Sequence, residues 1–452
     1  MNQKTTGENQ KNIRKCKELI DTQKKFMGAE IDDINEQEGN RKKNERQVVF
    51  SQLLIRNHLF FGNKICVVEF FHSGIWHKVE KKEKTEKTLA KFASQSGFMK
   101  IHFPFIFTVL FGASPLLAQE KTQPAETHLQ NLRQITFGGD NAEAYFSPDG
   151  KKLSFQTNNP KWGLNCDQIF WLRLFAHKED SAYQPHPLSN GEGRTTCSYY
   201  MPDGMHILYA STFKAGKDCP PPPTPRGDKK YLWAVYPEFD IFVADQNGAI
   251  TKQLTDSPGY DAEATVSPKG DKIVFTSDRS GDLELWIMDI DGKNQKQITS
   301  GLGYDGGAFF SPDGKKLVFR ASRPSTDVEK KEYTDLLKEH LVAPTNMEIY
   351  TCNIDGSDLV QVTHLGKANW APFYHPSGKK IIFSSNHHSQ RGYDFQLYMV
   401  NTDGTQVERI THESMFNAFP MFSPDGKKLV FSSNRNNGGS RDTNLFIADW
   451  AE

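Results

Sequence analysis

The chain has 452 residues, with 55 Lys and Arg against 55 Asp and Glu, and 12% of it is aromatic. That length suits two or three average domains or one large repeat domain, and the aromatic content suits strands better than long helices. Residues 1–98 hold 19 basic and 13 acidic side chains and the remainder 36 and 42, so the larger part is mildly acidic and nucleic acid is not an expected partner.

Residues 1–98 read as a polar leader, rich in Lys, Glu, Asn and Gln, with one apolar patch at 48–61 and 65–71. From Met99 the pattern changes. Lys100 precedes the apolar run Phe103–Leu117, which ends at Ala118 before a polar stretch. A basic tip, a short apolar core and a small residue make a secretory signal over 99–118. The run is short for a membrane span. Translation is therefore expected to begin at Met99, with cleavage after Ala118 and the leader outside the working protein. The rival reading is a cytoplasmic domain with a signal anchor at 103–118. Residues 119–130 read as a short linker, and 131–452 as the working domain.

Six copies of one phrase follow: FSPDGKKLSF (146–155), YMPDGMHILY (200–209), VSPKGDKIVF (266–275), FSPDGKKLVF (310–319), YHPSGKKIIF (374–383) and FSPDGKKLVF (422–431). In each, an apolar strand meets a Pro-Asp-Gly-type turn and a second apolar strand leaves it, which is a β-hairpin. A third strand follows, as in Glu284–Asp289 and Asn444–Asp449. A fourth carries Gln-x-Thr, as in Gln253-Leu254-Thr255 and Gln297-Ile298-Thr299. Four short antiparallel strands per unit predict a blade, and six phrases predict an all-β, six-bladed β-propeller. The last unit lacks its fourth strand, and Gln134-Ile135-Thr136 precedes the first phrase. An N-terminal strand is expected to complete the last blade and remove its open edge.

The phrase, with its LFIAD and QIT continuations, resembles the β-propeller repeats of the TolB family over about residues 131–450. The resemblance implies a periplasmic or secreted protein of the Tol–Pal type, serving envelope integrity or transport. No nucleophile–base pair, phosphate loop or HExxH motif appears in the sequence, so the expectation is a non-catalytic monomer that binds an envelope protein or polymer, with no cofactor beyond a possible channel cation. TolB proteins carry an α/β domain ahead of the propeller, and no segment of that kind separates Ala118 from the first strand here. Similar propellers also precede hydrolase domains, but this sequence has no GxSxG. Some propeller-shaped polysaccharide lyases bind a metal through channel histidines, so a propeller enzyme is the alternative.

Aligning the phrases on their prolines places Asn141, Thr195, Asp261, Asp305, Asn369 and Asn417 seven residues upstream. Two residues on come Glu143, Cys197, Glu263, Gly307, Ala371 and Phe419. A first strand lines the axial channel, so these positions predict a polar mouth, acidic at blades 1 and 3. Such a mouth could bind a cation or a basic segment. Alternatively, the Asp and Asn side chains bond local backbone at the strand entry. Three loops between second and third strands are enlarged: 213–238 with Pro220–Pro223, 324–346 with helical spacing over Val328–Leu341, and the loop carrying His387, His388 and Arg391. Insertions on one rim commonly carry recognition. Cys166 and Cys219 fall in neighbouring loops of that rim and are expected to form a disulfide in an oxidising compartment. Cys352 sits inside a strand.

Overall fold

The computed structural model describes residues 124–174, 185–224, 230–390 and 392–452, with the backbone of three short strands, Ile55–Phe61, Lys64–Phe70 and Lys81–Lys82. It divides into two units, Met1–Pro115 and Leu116–Glu452. The signal at 99–118 and, those strands apart, the leader at 1–98 lie outside the described residues, as does Arg391. Among the described residues, no helix is long and apolar enough to cross a membrane.

The second unit is a six-bladed propeller, each blade a four-stranded antiparallel sheet. Blade 1 begins at Asp140–Phe146, blade 2 at Thr195–Tyr200, blade 3 at Asp261–Val266, blade 4 at Asp305–Phe310, blade 5 at Asn369–Tyr374 and blade 6 at Asn417–Phe422. Blade 6 is completed from the other end of the unit. Leu129–Gln134 pairs with Asn444–Trp450, with Gln134 opposite Phe446 and Arg133 opposite Ile447.

The repeated phrase builds one rim and the core of each blade. In the turn, Ser147 Oγ donates to Asp149 Oδ1 at 2.6 Å and accepts from the Lys152 amide at 3.0 Å. Ser311 and Ser423 do the same with Asp313 and Asp425. The turn glycine has positive φ, 69° at Gly150, and lies against the proline of the preceding blade: Gly150 against Pro424, Gly204 against Pro148. In the second strand, Phe155, Tyr209, Phe275, Phe319, Phe383 and Phe431 are equivalent, and all are 0% exposed. Each such burial stabilises by roughly 2–3 kcal/mol. The Gln-x-Thr strand supplies a cap. Thr299 Oγ1 accepts from the Leu285 amide at 2.9 Å and donates to Glu284 at 2.7 Å. Thr136 repeats this with Leu445 and Asn444 in the completed blade.

The blade 4 insertion carries a helix, Asp327–Lys338, opened by a capping box between Thr326 and Glu329. The spacing predicted helix to Leu341. The helix ends earlier because His340 turns to φ 56°, and Leu341–Val342 then pairs with Trp233–Ala234 of the blade 2 insertion. The two insertions thus share a small sheet of their own.

Candidate functional site

Every first strand carries a β-bulge at the same place, two residues against one. The bulged residue is left-handed in all six blades: Glu143 (φ 52°), Cys197 (51°), Glu263 (58°), Gly307 (60°), Ala371 (47°) and Phe419 (55°). Five of these are not glycine, and each costs free energy in that conformation. The bulge places these residues on the wall of a cavity of about 700 Å³ at the insertion-bearing mouth.

The floor is aromatic. Tyr145 of blade 1 meets Phe309 of the opposite blade 4 with ring centroids 5.7 Å apart, and Tyr199 and Phe373 join them at 5.6 Å from Tyr145 and 5.2 Å from Phe309. Rings touching across the axis close the channel below the cavity. All three enlarged insertions supply the upper lining: Pro222, Pro223 and Trp233; Pro344 and Thr345; Asn386, Gly392 and Tyr393. Cys166 and Cys219 form a disulfide with 6.0 Å between their Cα atoms, and it ties the proline-rich part of the blade 2 insertion to blade 1.

One side of the wall is polar. Glu263 has both oxygens engaged: Tyr304 Oη donates to Oε1 at 2.8 Å beside Arg320, and Thr276 Oγ1 and the Gly307 amide donate to Oε2 at 2.7 and 2.8 Å. Burial opposes ionisation of Glu263, but the Arg320 charge and these donors outweigh it and hold its carboxyl below the usual value. Arg320 also lies over the rings of Trp233 and Tyr304 at 5.3 and 4.8 Å. Glu143 differs. Tyr145 Oη donates to it at 3.3 Å, and burial together with the Glu263 charge pushes its carboxyl up. Burial also pushes up the neighbouring Cys197 thiol, which makes it a poor nucleophile. Further out, Arg194 Nη1 pairs with Asp167 at 2.5 Å.

The other side is apolar. Trp370 packs on Phe395 at 4.1 Å, on Trp233 at 5.3 Å and near Phe419 at 6.4 Å, and Phe416 adjoins Phe395. Trp370 Nε1 is buried and has no hydrogen-bond partner among the described residues. Sequence reasoning missed this half, because aromatic residues in a strand protein read as core. It also missed Arg194 and Arg320, which no repeated position marks.

Of the candidates seven residues before the prolines, Asn141, Asp261, Asp305, Asn369 and Asn417 are buried in hydrogen-bonded networks at the strand entry and do not line the cavity, while Thr195 does. Asn141 Nδ2 donates to the Thr443 carbonyl at 2.9 Å and Asn369 Nδ2 to that of Met347 at 2.9 Å. Asp261 takes Arg279 at 2.6 Å, Asp305 takes Arg323, and Asn417 takes Arg435 at 2.9 Å. Arg435 also holds Glu126 at 2.9 Å, so a half-buried residue of the segment read as a linker is tied to the last two blades. His387 bonds Ser385 at 2.8 Å and His388 bonds Tyr398 at 3.0 Å. Among the described residues, no three His, Cys, Asp or Glu side chains are grouped as metal ligands would be.

The TolB beta propeller domain model matches residues 235–326 and 337–448. Among solved structures, a TolB from Agrobacterium tumefaciens is similar at 20% identity, covering 70% of this chain and 91% of that one, with a TM-score of 0.44. TolB from Acinetobacter baumannii is similar at 19%, covering 68% of this chain and 65% of that one, with a TM-score of 0.46. An oligogalacturonate lyase in complex with manganese is similar at 13%, covering 71% and 97%, with a TM-score of 0.42. Blades 3 to 6 of this six-bladed propeller are thus the part whose repeats match the TolB beta propeller domain.

Proposed function

We propose that this protein is a non-catalytic, exported propeller that binds a protein or envelope polymer on its insertion-bearing face. The observation that carries the reading is the cavity at that face. It is blind, closed by aromatic rings below, and lined by all three enlarged insertions. A concave, largely apolar site with a few fixed polar groups is the usual form of a binding pocket. Export is supported by the signal-like segment at 99–118 and by the Cys166–Cys219 disulfide, which suits an oxidising compartment.

The test compares capture from a cross-linked periplasmic fraction by the wild-type propeller and by Phe419→Ala. The expected result is an envelope component recovered with the first and lost with the second, at equal yield of folded protein. Recovery of the same component by both would place binding elsewhere.

One observation favours a second reading, a lyase or hydrolase. Glu143 and Glu263 share the cavity with their carboxyls pushed in opposite directions, as an acid and a base require. Against it, both oxygens of Glu263 already accept from Tyr304, Arg320, Thr276 and Gly307, which leaves little capacity for a substrate proton. Turnover of oligosaccharides or peptides that is lost in Glu143→Gln would establish the enzyme instead.

A further inference from the structure

The ionisable groups lining the cavity do not balance. Asp167 is paired with Arg194, and Glu263 with Arg320. Glu143 is left without an ion pair: its hydrogen-bond partners among the described residues are the neutral groups Tyr145 and Cys197, and the one cation that acts on it, Arg320, is already paired with Glu263. A buried carboxylate without a cation is costly, and a ligand that brings the cation recovers that cost. The ring order sets Phe419 of blade 6 next to Glu143 of blade 1, and Trp370 and Phe395 continue the same wall. Such a wall accepts a methylene stem and favours a cation over its faces.

We infer that the cavity receives a lysine or arginine side chain of a bound protein segment, with the charge at Glu143 and the stem against Phe419 and Trp370. The inference rests on the cavity being the binding site, and it selects a basic protein segment over an envelope polymer. An unpaired acid repels a polyanionic glycan, and a neutral sugar leaves the carboxylate without its counter-charge.

The probes are capped tripeptides, acetyl-Ala-X-Ala-amide with X lysine, arginine, norleucine or glutamate, and cellotriose as a neutral glycan. Affinities are measured by calorimetry on the whole exported chain. The basic peptides are expected to bind about tenfold more tightly than the norleucine peptide, and the glutamate peptide more weakly still. Glu143→Gln is expected to erase the preference for the basic peptides, leave norleucine binding in place, and unfold at or above the wild-type temperature. Equal binding of the lysine and norleucine peptides overturns the assignment of charge while keeping the cavity as a site. Cellotriose binding without peptide binding overturns the protein segment in favour of a polymer. Binding of none of the probes overturns the assignment and the cavity reading together.

Discussion

The two halves of the cavity wall share one backbone and differ in everything attached to it. Blades 1 to 3 place Glu143, Cys197 and Glu263 on the bulge, while blades 5 and 6 place Ala371 and Phe419 on the same left-handed position. Gly307 of blade 4 stands at the boundary, and a Cβ there would collide with the Arg320 guanidinium. The ring therefore fixes where six side chains enter the cavity, and the identity of each decides what the cavity recognises. The polar half is held by a network that fills every acceptor of Glu263. In the aromatic half the side chains are held by ring packing, with the Phe419 amide donating to Ser384 Oγ at 3.1 Å.

Breaking the polar half should cost most. Glu263→Ala leaves the Arg320 charge buried without its partner and is expected to lower stability by roughly 3–5 kcal/mol, read from the urea midpoint. In the aromatic half, Trp370→Ala should cost about 3 kcal/mol by the same measurement, the low end for a buried aromatic because one side already faces the cavity. The bulge itself is probed by Ala371→Gly, which relieves a left-handed alanine at φ 47° and should stabilise by at most about 1 kcal/mol. A loss there would mean that the Ala371 methyl contributes packing beyond the relief of strain.

The smallest effect is a difference of sign between the two glutamates. The Glu263 carboxyl is held below its usual value of 4.5, so its contribution is present above that pH and lost as the pH falls through the folded value. The Glu143 carboxyl is pushed above 4.5, so its ionisation disfavours the folded state as the pH rises from 4.5 through the folded value. Glu143→Gln should therefore gain on the wild type as the pH rises from 4.5, and Glu263→Gln should lose on it over the acid side of the range. Melting temperatures collected against pH check both slopes, and parallel curves for the two variants would remove the distinction between the carboxylates.

The fold was legible because each phrase encodes turn geometry directly. Pro, Asp and Gly set backbone angles, and Gln-x-Thr carries a cap whose partners lie within the same blade. The cavity was legible only in part. Alignment on the prolines picked out Glu143 and Glu263, but nothing in Glu, Cys, Ala or Phe announces a left-handed residue. The bulge is imposed by pairing to the second strand, not by local preference. The pairing of Trp233–Ala234 with Leu341–Val342 was hidden for a related reason: two-residue strands carry no period, and the partners are far apart in sequence. Glu126 shows the same limit, since a polar residue in a polar segment gives no sign that Arg435 awaits it.

The completion of blade 6 by Leu129–Gln134 has a consequence in time. The strand that opens the propeller in sequence has no sheet to join until Asn444–Trp450 exists, so during synthesis it waits while five blades are laid down behind it. Glu126, whose amide and guanidinium partners His412 and Arg435 belong to the last two blades, waits with it. Loop closure over so long a separation comes late and is slow. The finished ring should accordingly behave as a clasp: a chain arrested before blade 6 keeps both an orphan strand and a bare edge, and signals its own incompleteness to whatever surveys unfolded protein in its compartment.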